Sequence, residues 1–165
     1  MSIKTSPITW ITCGSNPFEV HKAIIQARML SGRYITDKLA RHWTENRSGT
    51  CKLSTCRNGQ VVGSLEHILL FCPALSPVRT RMQKLSLKKA SESEHIFRVV
   101  RKYLFNVDTI SKTQFLLDCS VLPEVICLVQ NLGIQALELL FNISRNWCYS
   151  IHRTRMNKLG LYKFR

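Results

Sequence analysis

Acidic side chains are scarce in this sequence: ten Asp and Glu stand against 24 Lys and Arg in 165 residues. With so few carboxylates, no pair of aspartates sits in a context that would hold two magnesium ions for polymerase or nuclease chemistry. A Gly-rich phosphate loop, a GxSxG elbow and an HExxH run are also missing, and LEHIL has the wrong order for the last of these. The expectation is a protein that is not an enzyme. Long hydrophobic runs are lacking too. No stretch of about eighteen apolar residues occurs, and the opening MSIKTSPITWITCG has a short apolar patch without a signal-peptide core or basic lead. These absences predict a soluble chain inside the cell, nuclear or cytoplasmic, with no membrane partner.

What is present is charge of one sign. The net charge of +14 on 19.0 kDa favours a polyanionic partner, with RNA or DNA ahead of an acidic membrane face. The excess is uneven: residues 1–90 carry fourteen basic and four acidic side chains, residues 91–165 ten and six. Seven cysteines are spread over the chain at an odd count, which is unlike a secreted disulfide framework and fits reduced thiols.

Three of those cysteines sit in a pattern. Cys51, Cys56, His67 and Cys72 read CxxxxC, ten residues, HxxxxC, and offer three thiolates and one imidazole within about twenty residues, a set suited to one tetrahedral structural zinc. Asn58-Gly59 is a tight-turn signal, so Leu53 to Val62 is expected as a short hairpin carrying the first two ligands. Ser64 can cap a two-turn helix, SLEHILLF, that puts His67 in its first turn and stops at Cys72 before Pro73. Leu65, Ile68, Leu69 and Phe71 would be its packed side. Two buried cysteines, a core histidine and an unrelated third cysteine are the plainer account of the same residues. The paired spacing with a turn between argues against it.

The segment CKLSTC followed by GSLEHILLFCPALSPVR resembles the cysteine-histidine (CCHC) zinc knuckle downstream of the polymerase in LINE-type (non-LTR) retrotransposon reverse transcriptases. ARMLSGRYITDKLARHW, from Ala27 to Trp43, is similar to the helical lead-in of those proteins. The resemblance covers about residues 27–82 and implies a zinc-binding, all-helical tail that holds element RNA or target DNA beside a polymerase domain. Only Cys51, Cys56, His67 and Cys72 carry over as ligands, and the 165 residues hold no polymerase motifs, as a fragment of a longer reverse transcriptase would.

The fold class expected is mainly α: a helical domain with a small zinc-knuckle insert, a short β-hairpin plus helix. Residues 1–90 form a basic helical lead-in with the knuckle (core 49–82), and 91–165 a C-terminal helical segment packing on it as one continuous unit. Trp10 and Ile11 are expected to tuck onto the core. Asn16-Pro17 opens the first helix, which ends at Ser31-Gly32, with Phe18, His21, Ile24, Ile25 and Met29 on its stripe and Lys22 and Arg28 off it. A second helix runs from Tyr34 to about Trp43 with Ile35, Leu39 and Trp43 on one side. Ser76-Pro77 opens a third, and Ser91-x-x-Glu94 reads as a capping box for a helix from Glu92 to about Phe105. Helices from about Ser111 to Asp118, over VICLVQNL and from about Gly133 to Leu159 complete the chain. The last carries Ile134, Leu137, Leu140, Phe141, Ser144, Trp147, Cys148 and Ile151 as one stripe and is expected to be the central packing helix of its half.

Candidate phosphate contacts follow from the basic tracts. Arg33, Lys38 and Arg41 on the second helix, Lys52 and Arg57 in the knuckle, and Arg79, Arg81, Lys84, Lys88 and Lys89 after it make a surface that binds phosphate by counterion release. Arg145, Arg153, Arg155, Lys158, Lys163 and Arg165 make a basic end to the last helix. Cys148 and His152 lie four apart there, with Cys119 and Cys127 as conceivable partners in a second metal site, although cysteines are commonly buried as small apolar groups. The leading function is thus a zinc-binding nucleic-acid-binding module. Its alternative is a zinc-stapled helical protein-interaction domain, or a retrotransposon remnant, that does not touch nucleic acid.

Overall fold

The computed structural model describes residues 16–40, 49–53, 56 and 61–161. Trp10, Ile11, Arg41, Trp43, Arg57 and the Asn58-Gly59 turn lie outside them. Helix α1 (Pro17–Leu30) starts as its sequence dictates: the Asn16 side chain accepts from Phe18 N at 2.9 Å with Pro17 at the first helical position. Helix α2 is shorter than expected and spans only Asp37–Ala40, with Thr36 Oγ1 accepting from Leu39 N at 3.0 Å. Tyr34 precedes it in non-helical backbone and is buried, whereas Ile35 is 54 % exposed rather than packed.

Three short turns lead into α3 (Ser76–Ala90): the bridge region around Cys51, a π-helical turn at His67–Phe71 and a 3-10 turn at Pro73–Leu75. Among the described residues the expected hairpin is reduced to one isolated antiparallel bridge, Thr50 with Val62. Helix α4 (Glu94–Phe105) follows, then α5 (Thr109–Leu117), a 3-10 turn at Cys119–Val121, α6 (Pro123–Leu132) and α7 (Ile134–Lys158). The α4 cap is Ser93, whose Oγ faces Ile96 N, and not Ser91, whose hydroxyl donates back to Lys88 O. The two serines compete for one helix start, and the one adjacent to Glu94 wins because the α3 terminus occupies the other. Helix α5 begins two residues earlier than its apolar pattern, since Asp108 accepts from both Ile110 N and Ser111 N. Gly133 joins α6 to α7 at φ +80°, a left-handed conformation that costs glycine little.

Helix α7 is the axis of the molecule and packs against α1, α3, α4, α5, α6 and the turns at His67–Phe71 and Pro73–Leu75. Leu140, Phe141, Trp147, Cys148 and Ile151 are fully buried along it, as the stripe requires. Ile134, assigned to that stripe, is exposed at the first position of the helix, before the neighbouring helices reach it. Polar side chains stitch the axis to its neighbours: Gln26 Nε2 donates to Leu116 O and to Ser144 Oγ, both at 3.0 Å, and the Cys148 thiol donates to Leu116 O. Three charges run against the pattern. Lys22 of α1 is buried, not solvated, and donates to Glu19 and Asn146 at 2.7 Å each. Arg145 and Arg155 are likewise buried, so they do not belong to the exposed basic end expected of α7.

Candidate metal centre

Cys51, Cys56, His67 and Cys72 converge, each buried, with one ligand atom from every residue lying within 4.8 Å of the others. Local backbone chemistry places each of them. Cys51 N donates to Val61 O at 2.8 Å and Gly63 N to Gly49 O at 2.9 Å, so the two arms of the 49–63 segment are held side by side. Cys56 N closes a tight turn onto Leu53 O at 2.8 Å. Ser64 Oγ accepts from His67 N at 3.1 Å, the expected cap.

The HxxxxC spacing explains the π turn. At about 100° per residue, positions five apart on an α-helix point roughly 140° away from each other and cannot share an ion. Here Cys72 N bonds His67 O, an i to i+5 closure that widens the turn and returns Cys72 to the side of His67. Ile68 and Leu69 fill the core behind it, whereas Phe71, expected on that packed side, is 56 % exposed, turned outward by the wider register.

The interatomic edges have the size that a four-coordinate ion demands. With about 2.3 Å to sulfur and 2.0–2.1 Å to nitrogen, a tetrahedron has S–S edges of about 3.8 Å and S–N edges of about 3.5 Å. Observed are 3.6 Å for Cys56 Sγ to Cys72 Sγ, 3.9 Å for Cys51 Sγ to Cys72 Sγ and 3.5 Å for Cys56 Sγ to His67 Nε2. Sulfurs so spaced are not disulfide-bonded. These four residues can hold a metal ion.

Electrostatics point the same way. Burial, then the neighbouring sulfurs, pushes the Cys51 thiol up to about 12, and burial with the Cys56 sulfur raises Cys72. Thiols in this setting ionise only if a cation offsets the desolvation. His67 is shifted the other way, lowered by burial and by the Arg79 charge, which keeps its imidazole in the neutral form that ligates. Arg79 itself donates from Nη2 to Cys72 O at 2.7 Å. It was expected as a phosphate contact and is instead half-buried beside the thiols, where its charge faces the sulfur cluster.

Behind the cluster lies a second polar layer with no sequence signature. Asp37 Oδ2 and Arg155 Nη2 form a buried pair at 3.4 Å, and Arg155 Nη1 donates to Ile35 O at 3.0 Å. Lys38 N donates to Gly63 O, and a Cβ built on Gly63 would stand 2.6 Å from Asp37 Cβ. Glycine is required there by close approach. The layer ties α7 and α2 to the segment that carries the ligands.

The remaining basic residues separate into two surfaces. Arg33, Lys38 and Lys52 are exposed on the side of α2 and the cluster, and Arg81, Lys84, Lys88 and Lys89 are exposed along α3. The second-site candidates do not assemble: Cys119 and Cys148 are buried, Cys127 is exposed, and the only metal-ligating group among the described residues is the one above. No helix among the described residues is long and apolar enough to cross a membrane. No protein-family model, no curated protein and no solved structure matches the chain.

Proposed function

We propose that this chain is a zinc-stapled nucleic-acid-binding module of the kind found in the tails of LINE-type reverse transcriptases, without catalytic activity of its own. The observation that carries the reading is the convergence of three buried thiols and one neutral imidazole on tetrahedral edges. Sulfur-rich, four-coordinate sites of this type suit Zn2+ above the harder divalent ions. Three thiolates, one imidazole and Zn2+ sum to a charge of −1, and Arg79 supplies the compensating cation. All four positions are taken by protein ligands, which leaves no place for a metal-bound water and makes the role structural.

The partner follows from charge. An excess of fourteen positive charges, with exposed cations on both the cluster side and α3, fits a polyanion held through its phosphates inside the cell, with a polymerase domain as neighbour. The test is binding of single-stranded RNA and duplex DNA across a salt series: affinity that collapses between low and moderate salt supports the reading. Absence of binding at low salt, with zinc retained, would leave the protein-interaction alternative in its place.

A further inference from the structure

Exposed cations occur on both sides of the crevice between α3 and α7, and the two helices cross it antiparallel. One end is pinned where Lys89 bonds Asn142, and the other opens where Arg81 of α3 stands against Ser150 and Arg153 of α7. The middle is a cavity of about 470 Å3 with Arg81, Lys88 and Lys89 on its rim and Met82, Leu85 and Ile143 as an apolar floor. It continues into a second cavity of about 360 Å3, walled by Arg81, Tyr149, Ser150, Arg153, Thr154 and Asn157. Arg81 and Ser150 belong to both, so the two are one groove. From Asn142 to Asn157 it runs fifteen residues along α7, about 22 Å.

The chemistry of this groove is that of a phosphate track. Arg81 and Arg153 are exposed and form no ion pair among the described residues, while hydroxyls and an amide around them add neutral donors. The acid on its wall is Glu92, at the Lys89 end; Glu19 beyond Asn146 is already taken by Lys22. Leu85, half exposed among Arg81, Lys88 and Lys89, gives the floor an apolar step against which a ribose or base can lie. The crevice lies between two packed helices and offers a single line of cations with an apolar step beside it, which a single strand can follow with its phosphates in the groove and its unpaired bases free to stack.

We propose that the α3–α7 groove binds the phosphate backbone of a single polynucleotide strand, with Arg81 and Arg153 clamping one phosphate from opposite helices. This rests on the nucleic-acid-binding reading and extends it from the cluster side to a site that α7 completes.

The test uses the full 165-residue, zinc-loaded chain and a fluorescent 20-nucleotide polyuridine RNA, with affinity measured across a salt series. Each phosphate neutralised on a single strand contributes about 0.7 to the slope of log affinity against log salt, so R81Q/R153Q, which releases the one phosphate the two share, should lower that slope by about 0.7. Its far-ultraviolet circular dichroism and zinc content should match wild type, because both side chains are exposed. R33Q/K52Q, on the cluster side, serves as the comparison. If wild type binds and only R33Q/K52Q lowers the slope, the groove is overturned while the nucleic-acid reading stands. If wild type binds no RNA at low salt, both fail together. A 20-base-pair DNA duplex should bind more weakly than the RNA at equal salt, and equal binding that depends on Arg81 would overturn the single-strand assignment.

Discussion

A guanidinium beside buried sulfurs has two tasks open to it: Arg79 holds the Cys72 carbonyl, and with a metal bound its charge would offset that of the ionised thiols. Partners of this kind commonly change metal affinity by about 10–100-fold. R79M is therefore expected to lower zinc affinity by that range in a chelator competition, with R79K recovering part of it through charge alone. The Asp37–Arg155 pair belongs to the same layer, and removing one member leaves a buried charge unpaired. D37A should destabilise the fold by about 3–5 kcal/mol, and D37A/R155M should regain most of that loss, as read from urea midpoints. At this scale sequence was informative about the ligands and silent about their supports. Ligand spacing is local, within HxxxxC and CxxxxC, whereas Asp37 meets Arg155 across 118 positions and nothing local marks either. Lys22 and Arg145 were hidden for the same reason: a charged residue reads as surface until its partner is known.

Helix starts were largely readable, because their signals are a few residues long. Asn16-Pro17, Ser76-Pro77 and Leu122-Pro123 sit at element boundaries as their chemistry requires, and VICLVQNL is helical despite its β-branched residues. The exceptions arose where two signals overlapped or the register changed. Ser91 and Ser93 compete before Glu94, so S93A should cost about 0.5–1 kcal/mol and S91A less, which thermal denaturation of the two variants would separate. The π turn at His67–Phe71 carried a clue in its five-residue ligand spacing, which no α-helix can bring to one ion. Deleting Leu70 restores an i, i+4 relation between His67 and the cysteine and shortens the turn. The expected outcome is retained zinc on a regular α-helical turn, since i, i+4 side chains share one face, and the zinc content of the purified variant checks it.

For the molecule as a whole, α7 binds the other helices into one packing arrangement, and its buried polar contacts make stability depend on pH. His152 bonds Tyr34 at 3.1 Å and is lowered to about 4 by burial first and then by His21, Arg155 and Arg28. Unfolded, the same imidazole titrates near 6.5. Between those values the unfolded chain binds the extra proton, so His152 contributes stability that is complete above about pH 6.5 and declines as pH falls toward 4. H152Q should flatten the dependence of the urea midpoint between pH 7 and 5 relative to wild type. The helical class, the central role of the last helix and the four-ligand cluster were legible from periodicity and spacing. The α3–α7 groove was not, since it forms between stripes that lie some sixty residues apart.

Zinc content of the purified chain addresses the account at its root. Elemental analysis of wild type, C56S and H67A, each purified without added metal, should give about one zinc per wild-type chain and almost none in either variant, with faster proteolysis across residues 49–72. A wild-type chain that holds no zinc after equilibration with the metal, or variants that keep it in full, would contradict the claim that these four side chains share one ion.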